Sequence, residues 1–424
     1  MSAEIRPGYK MTEVGVIPGD WRVLPLKDVL ARGRLGGNYA NTALDTAIPL
    51  MKMGNLARGS FAVEKLEYVC GGQHLEPEHR LRYGDVLFNT RNTLDLVGKV
   101  AIWRDELPLA YYNSNLMRLE FDKDVVCSNE YANYALNLES AIGRLRAIAT
   151  GTTSVAAIYT RDLLEFCIPV PPKEEQVLIG QALSNVDVLI GALDQLLSKK
   201  RNLKQAAMQQ LLTGRQRLPE FSGEWEMTPM RALGNTYGGL SGKTKNDFGH
   251  GEARYIPFMN VMGDTVIDPS WLESVDVAPD EVQSLAKKGD LFFNGSSETP
   301  EEVGFCSVLL EEIPSLYLNS FCFGFRFNSA AKVNGLFFAY WFRSKAGRAA
   351  MSVLAQGATR YNIAKSAFMR LEIPQPSEAE QTAIATILSD MDAEIAALEA
   401  RRDKARQLKQ GMMQELLTGR IRLV

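Results

Sequence analysis

Gly238 to Thr244 (GGLSGKT) has the glycines and lysine of a loop whose backbone N–H groups cradle a nucleotide phosphate, but the spacing is GxxxGKT, one residue short of that motif. The preceding Ala-Leu-Gly-Asn-Thr-Tyr makes a poor buried strand. The segment therefore reads either as a flexible surface loop or as a basic loop in which Lys243 and Lys245 touch phosphate oxygens. Arg32 to Asn38 (RGRLGGN) is its loose counterpart earlier in the chain. Cys70, His74 and His79 are spaced tolerably for a metal, yet no fourth ligand follows. The chain has 3 His, and His250 has no early counterpart, so a Ser/His/Asp centre cannot occur twice. Pro171-Pro172 is followed by Lys173 rather than an aromatic residue, and the glycine-rich methyl-donor signature is missing too. What remains is binding chemistry on loops.

Two pairs of polar loops carry it. After a Gly-Asp-x-x-Phe-Asn strand the chain continues Thr90-Arg91-Asn92-Thr93 in one place and Gly295-Ser296-Ser297 in another. Further on, Gly151-Thr152-Thr153-Ser154 through Tyr159 answers Gly357-Ala358-Thr359-Arg360-Tyr361-Asn362. The positions match while the residues differ. Arg can fork onto guanine and Asn onto adenine, whereas Ser and Thr serve bases or phosphates. The bland alternative is a set of polar turns.

These loops sit in a long internal repeat. Residues 169–218 align without a gap, at an offset of 205, with residues 374–423, and 25 of the 50 positions are identical. The preceding segments correspond faintly: Ile17 to Trp21 with Phe221 to Trp225, Ile48 to Met51 with Ile256 to Met259, Gly84 to Asn89 with Gly289 to Asn294, and Tyr111 to Ser114 with Tyr317 to Ser320. The order is A, B, A′, B′, with A diverged and B retained.

In B, Ile179, Leu183, Val186, Ile190, Leu193 and Leu197 alternate steps of four and three, which is a coiled-coil seam. Ile384, Leu388, Met391, Ile395 and Leu398 repeat it in B′. Proline before each run and Thr-Gly after Leu212 and Leu417 predict helices of about 39 residues, or about 58 Å. A seam so narrow must be buried, and the nearest partner is the other copy. Module A is mixed and strand-rich, with one helical stretch from Asn129 to Ile148 and its counterpart from Val333 to Ala355. Cations concentrate late in B and B′, with a net +6 from Gln195 to Pro219 and +5 from Ala400 to Val424. An anionic duplex and an acidic partner surface both fit those runs, as does a solvated helix face.

At 424 residues the chain is too long for one ordinary core. Its net charge of -3 does not itself announce a polyanionic ligand. Five Cys without a CxxC pair suit a reducing compartment, no apolar run approaches a membrane span, and MSAEIRPGYK lacks a signal-peptide core. The expectation is a cytoplasmic, soluble, multidomain protein.

The repeats resemble those of the specificity subunit of type I restriction-modification systems. The resemblance is carried by Met208 to Gly214 and Met413 to Gly419, by Ile-Pro-x-Pro-x-x-x-Glu-Gln at Ile168 to Gln176 and Ile373 to Gln381, and by Phe88 to Asn92 followed by Val97-Gly98-Lys99. It implies an α+β fold of two globular mixed α/β target recognition domains separated by two long antiparallel coiled-coil helices with pseudo-twofold repetition. Recognition domains would span residues 1–168 and 219–373, and ruler helices 169–218 and 374–424. It further implies a chain without activity or cofactor that reads a bipartite, asymmetric double-stranded DNA target. Two methyltransferase subunits would supply S-adenosylmethionine chemistry, restriction subunits would supply ATP/Mg-driven translocation, and no membrane would be involved. DNA contacts would come from Arg91, Asn92, Thr93, Thr152, Thr153 and Tyr159 in one domain. Lys243, Lys245, Ser296, Ser297, Arg360, Tyr361 and Asn362 would supply them in the other. A helix of about 58 Å spans roughly 17 base pairs at about 3.4 Å each. The competing readings are a coiled-coil scaffold whose globular modules bind protein or carbohydrate and, on GGLSGKT alone, an enzyme.

Overall fold

The computed structural model describes residues 6–152 and 154–423. They form two compact units: Met1–Asp194 with Ala400–Val424, and Gln195–Glu399. Each long helix, Lys173–Leu211 and Glu378–Leu416, contains 39 residues and gives part of its length to each unit. Their lengths match the sequence expectation.

The two units share one sheet plan. In the first, strands Val100–Ile102, Val86–Asn89, Leu116–Phe121 and Leu30–Leu35 lie in that order, all antiparallel. In the second, the order is Cys306–Val308, Leu291–Asn294, Cys322–Phe327 and Gly234–Gly238. Both Gly-Asp-x-x-Phe-Asn strands are central and buried at every position, so their near-continuous apolar character reflects cover on both faces. The faint repeats Ile-Pro-x-Met and Tyr-x-Asn-Ser are partners. Tyr111 and Tyr112 pair in parallel with Leu50 and Met51, and Tyr317 and Leu318 with Tyr255 and Ile256.

The main core lies between this sheet and the short helices. Phe88, Val100, Ile102 and Leu119 pack with Ala132, Leu136, Ala141 and Leu145 in the first unit. Phenylalanine dominates the second: Phe293 stacks on Phe323 at 5.2 Å and meets Phe342 edge-on at 4.9 Å. Each such ring contributes roughly 1.5–3 kcal/mol by leaving water. One expected helix is two in each unit, Asn129–Leu136 then Glu139–Ala147, and Gly335–Arg343 then Lys345–Val353. Ser344 causes the second break, because its hydroxyl donates to the Trp341 carbonyl at 2.6 Å and accepts from the Gly347 N–H at 3.2 Å.

The long-helix seams are not buried by the other copy alone. Ile179 and Leu183 pack with Tyr131, Tyr134 and Ala135 of their own globular fold as well as with Leu416 and Leu417. Ile384 and Leu388 repeat this against the Phe337 to Trp341 helix and Leu211 and Leu212. By length and composition alone, Lys173–Leu211 is apolar enough to cross a membrane, which amends the expectation that no such run exists. Its Asp187 is nevertheless salt-bridged to Lys409 at 2.6 Å, and Asp194 to Arg406 at 3.1 Å.

The Glu-Gln of the Ile-Pro-x-Pro motif locks each unit. Glu175 is 1% exposed; its carboxylate accepts from Trp21 Nε1 at 3.0 Å and from Arg422 at 2.7 and 2.9 Å. Glu380 accepts from Trp225 Nε1 at 3.1 Å and from Arg217 at 2.6 and 2.7 Å. Gln176 and Gln381 satisfy backbone beside them: Gln176 takes the Cys127 N–H at 3.0 Å and gives to the Pro171 carbonyl at 2.9 Å, while Gln381 takes the Asn334 N–H at 2.8 Å and gives to Pro376 at 2.8 Å.

The same pairing disposes of much of the cationic runs. Lys200 bonds Glu394 at 2.6 Å, Lys204 bonds Asp392 and Arg201 bonds Glu399 in the second unit. An acidic surface facing these cations thus exists within the chain itself, leaving Lys199, Arg215, Arg401 and Lys404 without an ion pair among the described residues.

Removing one partner from a buried ion pair strands the other charge. Arg422→Ala leaves Glu175, 1% exposed, with Trp21 alone and should lower stability by about 3 kcal/mol in urea unfolding; Arg217→Ala should act in the same direction through Glu380, whereas Arg420→Ala, whose Glu415 partner is only half-buried, should cost below about 1 kcal/mol.

Candidate nucleic-acid interface

The loops singled out for binding are launched from the buried central strands. Asp290, at the start of one strand, accepts from the Lys287 N–H at 2.8 Å, the Tyr237 hydroxyl at 2.7 Å and Arg326 at 2.9 Å. Asp85 holds the Arg82 N–H at 2.9 Å and Arg118 at 3.2 Å, and burial raises its carboxyl above the ordinary range against the opposing pull of Arg118. At the strand ends, Asn89 and Asn294 are fully buried. Asn294 gives to the Glu302 carbonyl at 2.9 Å and takes the Phe305 N–H at 2.6 Å; Asn89 gives to Leu96 at 3.4 Å and takes the Arg91 N–H at 3.3 Å. The motif is therefore a brace for the turn that follows it.

In each unit the two loop segments meet in a small three-stranded sheet. Arg91–Asn92 pairs with Ala156–Ala157, which pairs with Thr150–Gly151. Ser296–Ser297 pairs with Tyr361–Ile363, which pairs with Ala355–Gln356. The matched glycines turn the outer hairpins. Gly151 has φ 127° and Gly357 φ 137°, and a Cβ would lie 2.3 Å from the Val155 carbonyl oxygen or 2.1 Å from that of Arg360.

Arg91 is exposed, with no side-chain hydrogen bond among the described residues, while Asn92 turns its Oδ1 to the Thr93 N–H at 2.8 Å. The carbonyl of Thr93 accepts from Leu96 and Val97, making it part of the turn. Thr152 bonds Ser154 through their hydroxyls at 3.1 Å, and Tyr159 is 57% exposed. Thr153 lies outside the described residues. A cavity of about 330 Å³ opens here between Arg91, Thr90, Tyr159, Ser114, Asn115 and Leu35. Ser114 ends the repeated Tyr-x-Asn-Ser, which is the sequence signal for it; Asn115 carries none.

In the second unit Ser296 is buried, and its hydroxyl accepts from Arg360 at 3.2 Å; Arg360 also lies over the exposed Phe321 ring at 5.9 Å. Ser297 donates to Glu302 at 3.1 Å, and the exposed Asn362 donates to the Arg360 carbonyl at 3.3 Å. Tyr361 is half-buried between them. Ser296 thus serves to aim Arg360.

The lysines are placed differently. The Lys243 side chain is 7% exposed and bonds Glu281 at 2.5 Å, so its ammonium already has an anion; Lys245 is exposed. The segment leads into a single 3₁₀ turn, Lys245–Asp247, rather than the helix a phosphate loop requires. His79 contacts the Tyr39 hydroxyl at 2.7 Å, and burial lowers its basicity.

The first long helix by itself would suit many proteins; the comparisons are specific. A family model described as "Type I restriction modification DNA specificity domain" matches residues 18–199 and 288–407. A provisionally named MjaX type I restriction enzyme specificity subunit of Methanocaldococcus jannaschii is 25% identical over 437 residues, covering 98% of this chain and 97% of that one. The MjaVIII specificity subunit of the same organism is 24% identical over 329 residues, covering 73% and 74%. Among solved structures, a type I restriction-modification S subunit from M. genitalium superposes with a TM-score of 0.57 at 13% identity, covering 98% of both chains. A chain from a study of type I complex assembly and conformational transition gives 0.54 at 17% identity, covering 96% of this chain and 99% of that one. At these identities the structural matches establish the fold.

The Lys243 bridge gives a pH signature. Its hydrogen bond draws the Glu281 carboxyl down to about 2 from an ordinary 4.5, so the bridge's contribution is complete above the ordinary value and lost as pH falls through about 2. Carboxyl NMR should find Glu281 ionised at pH 3.5, and Lys243→Met should raise its titration toward the ordinary value without reaching it, because the Ala278 N–H and Gln283 still donate to the carboxylate.

Proposed function

The chain belongs to the type I restriction-modification DNA specificity family, and from that premise we propose that it reads two different half-sites, one with each small sheet. It is a DNA-recognition subunit and not a catalyst, as members of this family are. The observation that carries the two-site reading is the matched frame with unmatched residues. Buried Asn and positive-φ Gly recur in both units, while Arg91, Asn92, Thr93, Thr152 and Tyr159 occupy one frame and Ser296, Ser297, Arg360, Tyr361 and Asn362 the other. An exposed side chain able to fork onto a base edge is what direct readout needs; Arg91 on the first sheet has no side-chain hydrogen bond among the described residues, and Arg360, at the edge of the second, is held by Ser296 through one Nη alone. Lys245 adds a phosphate contact; Lys243 acts behind it by fixing the loop.

The recognition domains are residues 1–168 and 219–373, and residues 169–218 and 374–424 set their spacing as an antiparallel coiled-coil pair. Support comes from two 39-residue helices and from the order of their ion pairs: 187 with 409 before 194 with 402, and 201 with 399 before 204 with 392. Linking two weak readers makes the second contact intramolecular, which raises affinity without new chemistry. Two methyltransferase subunits and translocating nuclease subunits would bring S-adenosylmethionine and ATP/Mg chemistry to the bound duplex, and a chromosomal target puts the assembly in the cytoplasm.

Selecting protected sequences from random DNA with a methyltransferase partner tests this. Arg91→Ala should relax one half-site by about 1–3 kcal/mol at a single position, and Arg360→Ala only the other. Loss of preference in both half-sites from either variant would refute one reader per unit. Inserting one helical turn in both long helices should lengthen the spacer and preserve both half-sites; an unchanged spacer would refute the ruler.

A further inference from the structure

The turn that follows Arg91 and Asn92 is bordered by two cations from distant segments, Arg58 and Arg146, and by Lys99 at its own end. Arg58 and Arg146 each direct an Nη2 at the Asp95 carbonyl oxygen, at 3.5 and 3.1 Å. Lys99 joins them through backbone: the Gly59 N–H donates to the Val100 carbonyl at 2.7 Å and the Gly98 N–H to that of Asn89 at 2.9 Å, which sets residue 58 beside residue 99. None of the three has an ion pair among the described residues, and Arg58 Nη1 is buried without a hydrogen-bond partner. Burial and then Arg146 lower the basicity of Arg58; burial and then Arg58 lower that of Lys99. Like charges held this close without a counter-anion form a site for one.

The second unit closes the same place. Val100 pairs with Phe88 as Cys306 pairs with Phe293, so Phe305 stands where Lys99 does. Arg343 and Arg348 lie over its ring at 5.2 and 4.4 Å, and carbonyls take their donors: Cys306 and Asp264 at 2.6 Å from Arg343, Gly304 at 2.7 Å and Glu301 at 2.8 Å from Arg348. There carbonyls and a ring cover most of two arginines that likewise lack an ion pair among the described residues, Arg348 Nε being buried without a partner; the first unit differs in placing Lys99 where Phe305 stands and in leaving Arg146 exposed.

We propose that Arg58, Lys99 and Arg146 form a phosphate-binding cluster, present in the first unit only, that grips the DNA backbone beside the bases read from Arg91 and Asn92. This rests on the DNA-reading function. It makes the two half-sites unequal in electrostatic contribution as well as in sequence.

The test is the salt dependence of binding by the full chain to a random-sequence duplex library, followed by sequencing of the bound fraction. Each lost phosphate contact should reduce the slope of log Kobs against log salt by about 0.9. Lys99→Gln and Arg146→Gln should each do so and weaken all sequences by the same factor, leaving the selected motif intact. Arg146 is exposed, so its variant folds whatever Arg58 or Lys99 contributes to packing. Unchanged slopes in both variants, with the wild type still selecting a motif, would refute the cluster and leave the reading function standing. An altered motif at unchanged slope would also refute it, by making these residues base readers. A wild type that selects no motif would overturn the reading function and the cluster with it.

Discussion

A buried carboxylate that must be neutralised organises each unit. Glu175 and Glu380 sit at the start of the long helices with almost no access to water, where an unpaired charge would cost several kcal/mol. Their partners come from elsewhere in the chain: a tryptophan at the beginning of the globular fold, and an arginine just beyond the glycine stop of the other long helix. Satisfying that one charge therefore brings a helix start, a helix end and a domain start to one point. Gln176 and Gln381 extend the effect by tying the neighbouring backbone, and a second carboxylate farther along, Asp187 or Asp392, is tied to Tyr134 and Lys409 or to Tyr340 and Lys204.

A frame fixed in this way can carry variable loops. The strand before each recognition loop is buried at every position, and its terminal asparagine braces the turn from beneath, so substitutions in the exposed residues beyond it do not disturb the core. Arg91, exposed, diverges for that reason, whereas Ser296 at the matching position is buried. Within the second frame Ser296 is buried and holds Arg360, so the exposed guanidinium comes from the segment that leads into the neighbouring strand.

The near-neutral charge takes on a physical meaning here. Most cations of the basic runs face acids within the chain, so they hold helices and domains together and add little field at a distance. In the proposed reading, attraction for a duplex falls to cations outside these pairs, among them Arg91, Arg360 and the group of Arg58, Lys99 and Arg146. A specificity protein benefits from this, because sequence-independent phosphate attraction is what dilutes discrimination among sites.

The sequence by itself determined the elements whose signals are local or repeated. Seam spacing, Pro starts and Gly stops delimited two 39-residue helices, the Gly-Asp-x-x-Phe-Asn runs marked the central strands, and diverged loops on a retained frame marked the candidate contacts. Tertiary structure alone decided which charges were already taken. Lys243 looks free in GGLSGKT but meets Glu281, 38 residues away; the run after Gln195 looks like a duplex-binding stripe but meets acids nearly two hundred residues on. It alone joined Arg91 to Ala157, broke a helix at Ser344, and brought Arg58 and Arg146 to one carbonyl with Lys99 near Arg58. The reason is physical. Periodicity and capping act over a few residues and are written in neighbouring letters, whereas ion pairing and desolvation depend on distances through space that chain order does not encode.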